Sequence, residues 1–217
     1  MRKAYFIFLF ILFTTTGYLN AEPFSETVRE NLLDPNRWTF QASAVLISAN
    51  VIDDFIFFKF DRAKGEAGGE MYLFNTSYTL TDLELELLGK QMNLQMEWPL
   101  VFGLINERGR PLFHNINSGI AFRWTNLPFS KFVYANFETG VGLTYSEHVM
   151  KIERVRKPHR ERSHLKIYWP IQLILAHPKH RQHQLVLQIH HQSGGHIFDI
   201  GGSNMLGLGY RYVFRER

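Results

Sequence analysis

From Gln91 to Leu104 the chain alternates without a break. Met92, Leu94, Met96, Trp98, Leu100, Phe102 and Leu104 take the even positions, and Gln91, Asn93, Gln95, Glu97, Pro99, Val101 and Gly103 the odd ones. A period of two belongs to a β-strand, whose successive side chains point to opposite faces; a helix would scatter these apolar residues around its circumference. The pattern recurs. In Asn115–Trp124, Ile116, Ser118, Ile120, Phe122 and Trp124 oppose Asn115, Asn117, Gly119, Ala121 and Arg123. In Val133–Tyr145, Val133, Ala135, Phe137, Val141 and Leu143 oppose Asn136, Glu138, Gly140, Gly142 and Thr144. In Leu165–Leu175 the odd face is Leu165, Ile167, Trp169, Ile171, Leu173 and Leu175, against Lys166, Tyr168 and Gln172.

A soluble sandwich also alternates, but three features favour a membrane barrel. The strands are longer than the usual five or six residues. The apolar face is rich in Trp, Phe and Tyr near strand ends, as an interfacial girdle is. The polar face carries Glu97, Arg123, Glu138, Lys166 and Arg211, which a dry sandwich core would not tolerate unpaired and a small lumen can pair with one another. Segments of this kind occur at Trp38–Asn50, Glu70–Leu80 with a continuation to Leu87, Gln91–Asn106, Leu112–Thr125, Lys131–Glu147, Ser163–His177, His183–Ser193 and Ser203–Phe214. The fold expected is all-β: an eight-stranded antiparallel transmembrane β-barrel. Leu83-Glu84-Leu85-Glu86-Leu87 is out of phase with Tyr72–Leu80, which predicts a bulge between them. With an even strand count both termini face the periplasm. Short turns at Asn126-Leu127-Pro128 and Pro178-Lys179-His180 then lie on that side, and the long links Val51–Gly69, His148–Arg162 and Gly194–Gly202 lie on the outer side.

The N-terminus agrees with export. Arg2 and Lys3 precede an apolar run from Ala4 to Phe13, and Leu19-Asn20-Ala21 precedes Glu22 as a cleavage site. Residues 1–21 read as a signal peptide, with a retained anchor as the second reading, and 22–217 as the barrel domain. Glu22–Arg37 reads as a short periplasmic segment or plug. Cleavage leaves about 196 residues, enough for one domain, and lowers the net charge from +4 to about +2. Nucleic-acid binding gains no support from so small a charge. The absence of cysteine excludes disulfides, thiolate metal sites and a cysteine nucleophile.

Chemistry concentrates near the end of the chain. In His183–Ser193, Gln184, Val186, Gln188, His190 and Gln192 form the polar, lumen-facing set, so His191 and Ser193 share the lipid face with Leu185, Leu187 and Ile189. A His two residues from a Ser on one strand face can take its proton and make it a nucleophile, presented to lipid at headgroup level. The bland reading makes both residues interfacial polar groups at a strand end. His177, His180, His183, His190, His191 and His196 suggest a metal, but His190 and His191 point to opposite faces and no acidic partner is spaced for a site, so none is expected. The Lys151–Arg162 loop holds six basic and two acidic residues. It reads either as a solvated loop or, at the outer side, as a set of contacts (Lys151, Arg154, Arg156, Arg160) for anionic lipid phosphates.

His191-x-Ser193 on the penultimate strand, Gly194, the run Gly201-Gly202-Ser203-Asn204 and the aromatic-ended last strand Tyr210–Phe214 resemble the outer-membrane lipid A 3-O-deacylases and the acyloxyacyl-hydrolase-type barrels similar to them. The resemblance covers about the last thirty residues. It implies hydrolysis of an ester-linked acyl chain of lipid A in lipopolysaccharide, with Ser193 as nucleophile, His191 as base, and no cofactor. It also implies an acidic orienter on the last strand. Asn204 occupies that position here, with Asp199 the nearby acid, and an aspartate at 204 would restore the family's charge. Gly194 replaces an oxyanion-donating Asn, leaving its backbone N–H for that task. The rival reading is a non-enzymatic outer-membrane barrel that binds a ligand or supports the envelope. A pore is disfavoured because eight strands enclose a lumen that side chains fill. A homodimer is left open.

Overall fold

The computed structural model describes residues 34–87, 90–125, 127, 133–156 and 158–214. The expected signal peptide, most of the segment after it, and the turn residues Asn126 and Pro128 lie outside them.

Eight strands form: β1 (Trp38–Ser48), β2 (Gly69–Leu87), β3 (Lys90–Glu107), β4 (Phe113–Trp124), β5 (Tyr134–Ser146), β6 (Leu165–Ala176), β7 (His183–Ser193) and β8 (Gly202–Val213). Each pairs antiparallel with the next. β1 pairs with β8 from Thr39↔Val213 to Ser48↔Asn204, which closes the barrel and leaves no edge. The register of β2 on β3 shifts between Thr79 and Thr81. That bulge absorbs the phase change seen in the sequence, and β2 runs on to Leu87. No helix among the described residues is long and apolar enough to cross a membrane; this chain crosses with strands.

Closure turns the period of two into inside and outside. Phe74, Trp98, Leu100, Phe102, Leu143 and Leu208 are exposed on the outer surface, an apolar belt that only lipid accommodates, whereas Glu97, Asn117, Glu138, Lys166, Gln188 and Arg211 are buried within. This is the architecture of an outer-membrane barrel. The inner half of the lumen holds a closed quartet of charges drawn from β3, β4, β5 and β8. Arg123 pairs with Glu97 at 2.5 Å and with Glu138 at 3.1 Å. Arg211 pairs with Glu138 at 2.7 Å and with Glu97 at 3.5 Å. Two cations meet two anions, so a lumen sealed from water carries no net charge there.

In the outer half Val45, Ile47, Met71, Ile105 and Met205 form an apolar cluster with Met150 and Ile152, which come from the loop between β5 and β6. That loop carries a short helix, α2 (Lys151–Arg156); a first one, α1 (Ile52–Ile56), lies in the loop between β1 and β2. The solvated-loop expectation therefore needs correction. Val149, Met150 and Ile152 are buried in the barrel mouth, with Glu153 beside them, because these apolar side chains remove more surface from water inside than outside.

Two outcomes test these assignments. Leu100→Arg sets a charge on the lipid belt and is expected to cost about 2–4 kcal/mol and to impair assembly, read as loss of heat-modifiable mobility. Gln95→Arg, on the opposite strand face where Gln95 already binds Asp82 at 2.8 Å, is expected to assemble normally. Glu138→Gln leaves Arg211 and Arg123 sharing one carboxylate and is expected to lower stability to urea by about 3–5 kcal/mol. An unchanged unfolding midpoint would remove the quartet from the account of stability.

Candidate active site at the outer mouth

β7 carries His191 and Ser193, the two residues that the sequence singles out. Its alternation buries Gln184, Val186, Gln188, His190 and Gln192 in the lumen and leaves His191 and Ser193 half-buried on the outer face. Register sets their neighbours. His191 lies opposite Trp169 on β6 and Asn204 on β8, and Ser193 opposite Ile167 and Gly202. The Trp169 ring meets the imidazole edge-to-face, with centroids 5.8 Å apart, and is itself held by a 2.9 Å hydrogen bond from its Nε1 to Thr139 Oγ1.

The structure brings Asn204 to His191. Their side chains meet at Nδ1 and Oδ1, 2.5 Å apart. Asn204 is in the outward phase of β8 yet only 3% exposed, because the loop after β1 covers it. Its Nδ2 donates to the backbone carbonyl of Asn50 at 2.9 Å. This contact assigns the amide: the NH₂ faces Asn50, so the oxygen faces His191 and accepts from Nδ1–H. Nε2 then keeps its lone pair and can act as a base. Ser193 is two residues further along the same face, about 7 Å in strand rise; the two side chains are not hydrogen-bonded to each other here, and His191 is bonded to Asn204 instead. An aspartate at 204 would set a carboxylate oxygen against the Asn50 carbonyl. The pocket as built fits an amide, so Asn204→Asp would gain the charge expected from the sequence only by giving up the donor to Asn50.

Asp199 is committed elsewhere. Its carboxylate accepts from Lys166 Nζ at 2.5 Å, from Ser163 N at 2.6 Å and from Gly201 N at 2.5 Å. Burial alone would raise its pKa, but these three donors, Lys166 foremost, outweigh burial and hold the carboxyl below its usual range. Lys166 also pairs with Glu153 of α2 at 2.9 Å. Burial pushes Glu153 up, with Lys166 opposing. Asp199 therefore ties two loops to the barrel mouth and does not orient His191, which corrects its assignment as the acidic partner.

Gly194 changes role for a similar reason. Its N–H donates to Gly201 O at 2.9 Å, so it is not free to bind an oxyanion. A Cβ here would overlap Asp199, which accounts for the glycine. The link then turns through Gly195 (φ 58°) and His196 (φ 62°), two successive left-handed residues as a type I′ turn requires.

The basic loop divides in two. Lys151 donates from Nζ to Arg108 O at 2.7 Å, and its amide N–H donates to Glu107 Oε1 at 2.8 Å. Arg156 donates to three backbone carbonyls, Gly202 O and Ser48 O at 3.2 Å each and Asn50 O at 2.5 Å. Neither is the free phosphate ligand expected from the sequence. Arg154 and Arg160 are exposed and remain available. Sequence reasoning missed Asn50 altogether: nothing local marks a carbonyl that acts on a residue 154 positions away. Among the described residues no group of three or more His, Asp or Glu side chains is placed to hold a metal ion.

No protein-family model matches the sequence, and no curated protein does. Among solved structures, the outer membrane enzyme PagL aligns over 80% of this chain and 98% of its own, with a TM-score of 0.55 and 13% sequence identity. Ail, the attachment invasion locus protein of Yersinia pestis, aligns over 81% of this chain and 95% of its own at 14% identity, with a TM-score of 0.31. What this chain is shown to share with PagL is the fold, the closed outer-membrane β-barrel.

Proposed function

We propose that the chain is a lipid A deacylase-like esterase of the bacterial outer membrane, which hydrolyses an ester-linked acyl chain of lipopolysaccharide in the outer leaflet. The observation that carries this reading is the His191–Asn204–Asn50 chain of hydrogen bonds beside Ser193 on the outer surface of the barrel. It supplies an imidazole with a fixed tautomer, next to a hydroxyl, at the level of lipid headgroups. The shared fold with an outer membrane enzyme lends support.

In this mechanism Nε2 of His191 takes the Ser193 proton as Oγ attacks the ester carbonyl. The tetrahedral intermediate collapses, and the sugar hydroxyl leaves with the proton from Nε2. Water, deprotonated by the same nitrogen, then releases the fatty acid and restores Ser193. Asn204 orients the ring without a countercharge, so the imidazolium formed midway is less stabilised than beside a carboxylate. With the Gly194 amide occupied, the proposal assigns the oxyanion to the Gly195 N–H, the next amide in the turn. Arg154 and Arg160 are the loop cations left for lipid phosphates.

The second reading, a non-enzymatic barrel, is favoured by one observation, the loss of the Gly194 amide to Gly201. Mass spectrometry of lipid A from cells with and without the protein decides between the two. The esterase reading expects the loss of one acyl chain, and an unchanged lipid A supports the rival. At matched expression, Ser193→Ala and His191→Ala are each expected to abolish the mass loss while the barrel stays heat-modifiable. His190→Ala, which faces the lumen, is expected to leave it nearly intact. Asn204→Asp is expected to lower the rate by about tenfold, one hydrogen bond exchanged for an oxygen–oxygen repulsion. Deacylation that survives Ser193→Ala would end this mechanism.

A further inference from the structure

We infer that Arg156 is a positioning residue for His191: it selects the imidazole tautomer through the Asn50 carbonyl and the Asn204 amide. The inference rests on the esterase reading for its consequence in rate, though not for its geometry.

The Asn50 carbonyl is the hub. It accepts from Asn204 Nδ2 at 2.9 Å and from Arg156 at 2.5 Å, so both of its lone pairs are used. The same guanidinium holds Ser48 O at the end of β1 and Gly202 O at the start of β8. Ser48 and Asn204 are register partners across the seam where β1 closes on β8. Arg156 thus joins both sides of the closure at its outer end and orients the Asn50 peptide between them. The planar fork of donors suits this task as a lysine ammonium would not.

The arginine is itself held in place. Glu153, three residues earlier in α2, is paired to Lys166, and Ile152 is buried in the mouth. Among the described residues of the basic loop, only Arg156 makes this set of contacts. The consequence is a choice between two states. While the Asn50 carbonyl faces the Asn204 NH₂, Oδ1 faces His191, the proton sits on Nδ1 and Nε2 is a base. If that peptide turns, the amide can reverse and offer its NH₂ to Nδ1. The imidazole proton then moves to Nε2, and the base toward Ser193 is lost.

The test compares the parent, Arg156→Gln, Arg156→Lys and Lys64→Gln in detergent micelles. Lys64 is an exposed cation of the loop after β1. Two readouts are taken: ¹⁵N chemical shifts of the His191 ring, assigned with His191→Ala, and kcat and KM for lipid A ester hydrolysis. Arg156→Gln is expected to convert a single Nδ1–H tautomer into a mixture and to lower kcat about five- to tenfold at unchanged KM, the worth of one hydrogen bond. Lys64→Gln should change neither. In an Asn204→Ala background Arg156→Gln should add nothing, because the link downstream is already cut. An unmoved tautomer, a rise in KM alone as for a phosphate contact, or additive losses in the double variant would each overturn the inference. Should Arg156→Gln fail to fold, Arg156→Lys carries the same comparison with a smaller shift. If the parent hydrolyses nothing, the esterase reading falls, and the tautomer measurement still decides the role of Arg156.

Discussion

Everything in this molecule depends on the pairing of β1 with β8. In hydrocarbon an unpaired backbone N–H or C=O costs several kcal/mol, on the order of the stability of a whole domain when summed along one open strand. Closure removes that cost and also assigns every side chain, since a closed sheet has one inside and one outside. The Trp, Phe and Leu residues that would aggregate a soluble protein become a lipid belt. The Glu and Arg residues that lipid would reject are brought together.

Eight strands enclose little room, so the lumen has to satisfy its own charges. The Glu97–Arg123–Glu138–Arg211 quartet does this in the inner half; in the outer half Lys166 pairs with Glu153 and Asp199, while Met150 and Ile152 pack into the mouth. The proposed site lies instead at the outer rim, where strand ends meet loops. His191, Ser193 and Asn204 occupy that rim. The loop contacts that fill the mouth (Lys166 with Glu153 and Asp199, Arg156 with three carbonyls) are also the contacts that hold the rim in shape. Stability and site geometry share the same hydrogen bonds.

An amide at 204 is coherent with its surroundings. A carboxylate buried at 3% exposure beside the Asn50 carbonyl would meet an acceptor, whereas an amide offers one face to each neighbour. The gain is an unambiguous tautomer. An amide brings no negative charge to steady an imidazolium, and the cation nearby is the Arg156 guanidinium on the Asn50 carbonyl.

The sequence by itself determined the strands, their number and their facing, because a period of two is a local property that any stretch of ten residues displays. Even the bulge near Leu80 was legible as a slip of phase, and His191 and Ser193 could be placed on the lipid face by counting. Asn204 followed by counting back across the hairpin. What tertiary structure alone decided are the partners of atoms that lie far apart in the chain. Asp199 turned to Lys166 and not to His191, the Gly194 amide was taken by Gly201, and Arg156 crossed the mouth to the β1–β8 seam. No periodicity encodes these, since each depends on how a loop packs into a mouth that exists only after the sheet has closed. Alternation is written residue by residue. The hydrogen bonds that hold an imidazole to an amide, and that amide to a distant carbonyl, are written only in three dimensions.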